Sequence, residues 1–151
     1  MIFFLDSSAL VKRYIAEAGS DMVSSLFAGK QMLAVSWLAL PETLAAITRR
    51  AKGSAMSAED LLRVKTQLAL DWQRFLVVYV AGEPVSRVEA LIARHGLRGA
   101  DSIHLSTALW LGQTTNTPIN FVAADSELIA AADAERLQTI NPQVHPDAFT
   151  V

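Results

Sequence analysis

No cysteine occurs among the 151 residues, which excludes disulfides, thiolate catalysis and thiolate zinc sites. Charge is scarce as an excess: 13 Lys and Arg against 15 Asp and Glu leave a formal −2, so no global positive field announces nucleic acid. A polyanionic partner needs only a local basic stripe, so it stays open. No run approaches the roughly 18 uninterrupted apolar residues of a membrane span. "MIFFL" is too short for a signal-peptide core and has no basic region before it, so the expected location is cytoplasmic. Neither a G-x-G-x-x-G nor a Walker-type loop is present, which disfavours a nucleotide-cofactor enzyme. What remains is a chain 52% hydrophobic and 19% charged, long enough to bury a proper core. A single domain over 1–151 is the simplest expectation.

Short apolar runs alternate with longer helical patterns. "IFFL", "MLAV", "FLVVYV" and "INFVA" read as strands, and "LQTI" as a short edge strand. "PETLAAITRRAK" opens with a proline suited to a first helical turn and stops near Gly53. Ser57 followed by Asp60 reads as a capping box launching a helix through Trp72. Leu61, Val64, Leu68, Trp72 and Phe75 commit one face of it to the core. "PVSRVEALIARHG" repeats the device with Val85, Val88, Leu91 and Ile92, ending at Gly96. The tail "NPQVHPDAFTV" carries two prolines and reads as irregular. Alternation of nearly all-apolar strands with helices predicts a three-layer α/β/α fold, a short parallel sheet covered on both faces.

Four acids fall where this pattern changes state. Asp6 ends the first strand, Glu42 lies in the first turn of the helix after the second, Asp101 opens the helix after Gly99, and Asp125 ends the "INFVAAD" run. Each has an ordinary explanation as a helix cap or a complement to the helix dipole. In an open parallel sheet, however, ligands bind outside the carboxyl ends of the strands, so these acids are expected on one rim. Clustered carboxylates repel, and one takes a proton unless a cation intervenes. A hard divalent ion such as magnesium suits oxygen donors, and it can activate water and stabilise the leaving oxygen in phosphodiester hydrolysis.

Four segments, "FLDSSALVKRY", "LPETLAAITRR", "HGLRGADSIHLSTAL" and "FVAADSEL", taken together resemble the PIN-domain family. Within it the likeness is to the VapC-type ribonuclease toxins of bacterial toxin–antitoxin pairs, and it spans essentially the whole chain. The resemblance implies a PIN-like fold and Mg²⁺- or Mn²⁺-dependent endonucleolytic cleavage of RNA. It puts Asp6, Glu42, Asp101 and Asp125 on the family's acidic metal-binding positions and Ser8 on a hydroxyl position near them. It also implies a homodimer and a small antitoxin whose C-terminal segment covers the active groove. One departure stands out: Ala123 occupies a position where the family commonly has Thr or Ser. That departure keeps a second reading open, a non-catalytic PIN-like module that dimerises and captures a partner protein.

Other residues fit around this frame. Lys12, Arg13, Arg49 and Arg50 are candidates for RNA phosphates, or for antitoxin carboxylates, with Lys12 and Arg13 expected at the groove mouth. His104 follows Asp101 at near metal-ligand spacing, but its apolar neighbours favour a packed, hydrogen-bonded imidazole. His95 and His145 show no partner pattern. Trp37, Trp72 and Trp110 could stack bases, yet the apolar surroundings of Trp37 and Trp72 favour packing. A phosphatase with Asp6 as nucleophile would want a second Asp where Ser8 stands, and a phospho-receiver module would want an acidic pair before Asp6.

Overall fold

The computed structural model describes residues 1–144, and the end of the tail with His145 lies outside them. Its elements in chain order are β1 (Ile2–Leu5), α1 (Ser7–Leu10) leading into a 3₁₀ turn at Val11–Arg13, α2 (Ser20–Ala28), β2 (Met32–Ser36), α3 (Ala39–Lys52) and α4 (Ala58–Trp72). There follow β3 (Leu76–Val78), α5 (Glu83–Ser86), α6 (Val88–His95), α7 (Gly99–Thr115), β4 (Ile119–Val122), α8 (Ser126–Ala134) and β5 (Gln138–Ile140). The strands form one parallel sheet in the order β3-β2-β1-β4-β5. The expected three-layer architecture is borne out, including the edge strand near the end.

Every residue of β1 is buried, because the strand is central and covered on both faces. Phe3 and Leu5 join one core with Leu10, Val23, Leu26, Ile47 and Leu68, under α1 to α4. Ile2 and Phe4 join the other with Leu105, Leu111, Phe121 and Leu128, under α7 and α8. The Phe4 and Phe121 rings stack across β1 and β4, with centroids 5.9 Å apart. The period-2 alternation of a strand thus divides one short apolar run between two cores.

Local signals act as read in several places. The Ser57 hydroxyl accepts from the Asp60 N–H at 3.0 Å and donates to the Asp60 carboxylate at 2.8 Å, starting α4. Gly96 ends α6 at φ +66°, a left-handed conformation that favours glycine. Gly19, at φ +91°, passes so close to Pro142 that a Cβ would lie 2.8 Å from its carbonyl.

Elsewhere the boundaries differ from expectation. Helix α3 starts at Ala39, so Pro41 falls within its first turn, where an N–H has no intrahelical partner to lose. The run "FLVVYV" supplies only Leu76–Val78 to the sheet: Phe75 turns into the core and Tyr79 is exposed. "PVSRVEALIARHG" forms two short helices parted at Arg87. Leu91 is buried while Val85 and Ile92 are exposed, so no continuous apolar face exists to hold one long helix. Helix α2 has no counterpart in the expected set. Among the described residues, no helix is long and apolar enough to cross a membrane.

Candidate active site at the carboxyl end of the sheet

From β1 the chain steps outward through β2 to β3, then crosses back to add β4 and β5 on the other side. The order reverses beside β1, and a cavity is expected outside the strand ends there. A cavity of about 550 Å³ opens at that place, bordered by Asp6, Glu42, Asp101, Asp125, Arg49 and Arg98 among others. All four acids singled out in the sequence therefore border one space, although they come from separate elements.

Asp6 leaves β1 with its N–H on the Val122 carbonyl at 3.1 Å. Its Oδ1 accepts from the Ala9 N–H at 3.0 Å, capping α1, and from the Ser8 hydroxyl at 2.8 Å. Ser8 Oγ in turn accepts from the Ala124 N–H at 2.9 Å, fastening the end of β1 to the loop after β4. Asp6 is only 1% exposed. Burial pushes its carboxyl above the ordinary value, against the lowering effects of His104, Ser8 and the nearby backbone N–H groups.

Glu42 projects from the first turn of α3 and accepts from His104 Nε2 at 2.6 Å. His104 is fully buried in α7, and its Nδ1 lies 2.9 Å from the hydroxyl of Ser36, the last residue of β2. A carboxylate only accepts, so the proton is on Nε2. This Ser36–His104–Glu42 line ties β2, α7 and α3 together and fixes the Glu42 carboxylate. Burial works to raise the Glu42 carboxyl, but the bond and charge of His104, the Ser7 hydroxyl and Arg98 outweigh it and hold it below its usual value. The imidazole is packed and hydrogen-bonded as expected; its partner, an acid of the cavity, was not legible from spacing.

Asp101 and Asp125 complete the rim. Asp125 Oδ1 caps α8 by accepting from the Leu128 N–H at 2.9 Å, so the ordinary capping role and the cavity position coexist. Arg98, which the sequence reading passes over, donates from Nε to Asp101 at 2.8 Å and from Nη2 to Asp125 at 3.3 Å. Among the described residues, no three acidic or imidazole side chains gather closely enough to hold a metal ion. The donor chemistry still fits a hard divalent cation, since every carboxylate on the cavity offers oxygen.

Two basic candidates are corrected in position. Lys12 is buried and pairs with Glu17 at 2.8 Å. Arg13 donates to the buried Asp71 at 3.3 Å and lies over the Phe27 ring. Neither borders the cavity: in the 3₁₀ turn after α1, Lys12 faces Glu17 in the loop before α2, and Arg13 faces Phe27 of α2 and Asp71 of α4. Arg49 does border it, whereas Arg50 is exposed on α3 away from the lining. Ala123 is fully buried in the α7–α8 core. Trp37 is 46% exposed and walls a separate apolar cavity with Leu38, Tyr79 and Ile103, so the packing expected of it is incomplete. His95 pairs with Glu135 at 2.8 Å.

The PIN domain profile matches residues 3–135. The chain belongs to the PIN-domain family. A relative named Ribonuclease VapC45, from Mycobacterium tuberculosis (strain CDC 1551 / Oshkosh), is 33% identical over 115 residues, covering 74% of this chain and 77% of its own length. Among solved structures, FitAcB from Neisseria gonorrhoeae matches with a TM-score of 0.64 at 14% identity, over 94% of this chain and 98% of its own. VapC20 from Mycobacterium tuberculosis, described as a sarcin–ricin loop cleaving toxin, matches with a TM-score of 0.63 at 18% identity, over 85% and 94%. At such identities the two structures speak for the fold. The PIN domain thus supplies the sheet and its switch point, and the cavity described above sits on it.

Proposed function

We propose that this PIN-domain protein is a VapC-type ribonuclease, a divalent-metal-dependent endonuclease that hydrolyses internal RNA phosphodiester bonds as the toxin of a toxin–antitoxin pair. One observation carries the reading: Asp6, Glu42, Asp101 and Asp125, from four separate parts of the chain, border a single cavity at the switch point of the sheet. These carboxylates would hold Mg²⁺ or Mn²⁺, directly or through water. When bound, such an ion supplies Lewis acidity, easing deprotonation of water and offsetting charge on the phosphodiester.

The protein's own groups do the rest. Ser8 and the Ala9 N–H orient Asp6, and His104 orients Glu42, so two of the acids are set before any substrate arrives. Arg49 on the cavity wall, with Arg50 a neighbour on the same helix, offers positive charge to RNA phosphates. Lys12 and Arg13 pair with Glu17 and Asp71 and do not line the cavity, so the basic charge offered there is that of Arg49. A homodimer, a small antitoxin covering the groove and a cytoplasmic setting complete the proposal, with residues 1–151 as one PIN-like domain.

The test is direct. Protein freed of any partner is incubated with labelled RNAs, including tRNA and rRNA loops, in Mg²⁺, Mn²⁺ or EDTA, beside Asp6→Asn and Asp101→Asn. Cleavage that requires the ion and disappears in both variants supports the reading. Absence of cleavage by the metal-loaded protein across the panel transfers it to a non-catalytic PIN-like binding module, with Ala123→Thr the next protein to assay.

A further inference from the structure

The acids of the cavity are not equally available. Asp6 and Glu42 are engaged by groups of the protein interior, Ser8, the Ala9 N–H and His104. Asp101 and Asp125 are bridged instead by one solvent-facing side chain, that of Arg98, which is 74% exposed. Arg98 precedes α7 with extended backbone, so its side chain leaves from the same turn that presents Asp101. Each oxygen of Asp125 accepts one hydrogen bond: Oδ1 from the Leu128 N–H at 2.9 Å and Oδ2 from Arg98 at 3.3 Å. Asp101 Oδ2 is taken by Arg98 at 2.8 Å.

A cation that drew on these oxygens could displace either the helix cap or the guanidinium. The cap is a backbone group fixed by α8. The guanidinium sits on a flexible stem in water, and exposed pairs of this kind are weak. The guanidinium is therefore the group that yields.

We propose that Arg98 is a built-in counter-ion that competes with the divalent cation for Asp101 and Asp125. The inference rests on the metal-dependent reading of this cavity. In the metal-free protein Arg98 offsets one of the two negative charges of the outer pair and so eases their repulsion. Metal loading releases it, and it stays at the edge of the cavity that Arg49 also lines. Arg98 is thus a positioning residue that sets how readily the site takes up its ion.

Mn²⁺ binding, followed calorimetrically and by the electron paramagnetic resonance of free Mn²⁺, tests this at low ionic strength on the full chain. Arg98→Ala should bind Mn²⁺ about two- to tenfold more tightly than wild type, the scale expected from removing weak exposed pairs. Arg98→Lys keeps the charge but concentrates it on one nitrogen without the planar fork that reaches Asp101 and Asp125 from separate atoms, and should fall between them. Arg49→Ala removes a cavity charge without releasing an acid, and should change affinity less than Arg98→Ala. Without metal Arg98→Ala should melt below wild type, and saturating Mn²⁺ should close the gap by mass action. Equal or weaker Mn²⁺ binding by Arg98→Ala overturns the proposal, as does an equal gain in Arg49→Ala. If wild type binds Mn²⁺ and Asp101→Asn does not, such a result sinks only the role of Arg98. If wild type and Asp101→Asn bind Mn²⁺ alike, the metal reading falls and takes the proposal with it.

Discussion

Replacing His104 with Leu removes the link between β2, α7 and α3 while roughly conserving volume. The Ser36 hydroxyl, itself fully buried, loses the imidazole 2.9 Å away. An unpaired buried hydroxyl costs about 1–3 kcal/mol. Glu42 loses a 2.6 Å bond from an N–H to a carboxylate, but its side chain is 30% exposed and water replaces much of that interaction. The sum is a loss of about 2–4 kcal/mol. In a domain of this size that lowers the melting temperature by about 5–15 °C. Urea unfolding followed by tryptophan fluorescence measures it, with Ser36→Ala and the double variant completing a cycle. Removing both partners spares the orphan hydroxyl, so the double variant should recover about 1–2 kcal/mol relative to the sum of the singles. A loss under about 1 kcal/mol, or strict additivity, would refute the argument that this buried line holds Glu42 in place.

Three further outcomes follow from the same geometry. The folded protein holds a proton on Asp6 above its ordinary value of 3.8, so the stability from this group is full below that value and is lost as pH rises through the folded one. Asn keeps the acceptor for Ala9 and Ser8; metal-free Asp6→Asn should melt above wild type at pH 7, the gap closing toward pH 4, and a lower melting point at pH 7 contradicts the sign. Asp71→Ala strips the partner from Arg13, Tyr14 and Gln67 and should cost about 2–4 kcal/mol in urea unfolding, with a cost near zero excluding a structural role for the pair. Gly19→Ala sets a Cβ against the Pro142 carbonyl at a left-handed φ and should cost about 1–3 kcal/mol; an unchanged unfolding midpoint would mean that this close approach is absent in solution.

Much of the architecture is written in short-range pattern. The apolar runs at Ile2–Leu5 and Ile119–Val122 are strands, and Ser57 with Asp60 starts a helix, because periodicity and capping depend on neighbours within a turn or two. Boundaries fail where tertiary packing overrides the pattern. Leu76–Val78 is shorter than its apolar run because the strand lies at the edge of the sheet, with β2 on one side only. The acids at Asp6, Glu42, Asp101 and Asp125 could be noticed from their places at the ends of elements. Lys12 and Arg13 were misplaced because the 3₁₀ turn changes the angular phase that an ideal helix would give them.

The sequence by itself determined an alternating α/β chain, its two-sided apolar strands and a family likeness that the PIN domain match bears out. It determined too that no thiolate could join a metal bound at the acids, since the chain has no cysteine. Only the tertiary structure decided that four acids border one cavity, that Asp6 is buried there, that His104 holds Glu42 and that Arg98 bridges Asp101 and Asp125. The reason is physical. Hydrogen bonds such as Ser36 to His104, 68 residues apart, or Glu42 to His104, 62 apart, depend on strand order and helix docking. Those are set by how the whole chain buries its two cores, and no local pattern carries them.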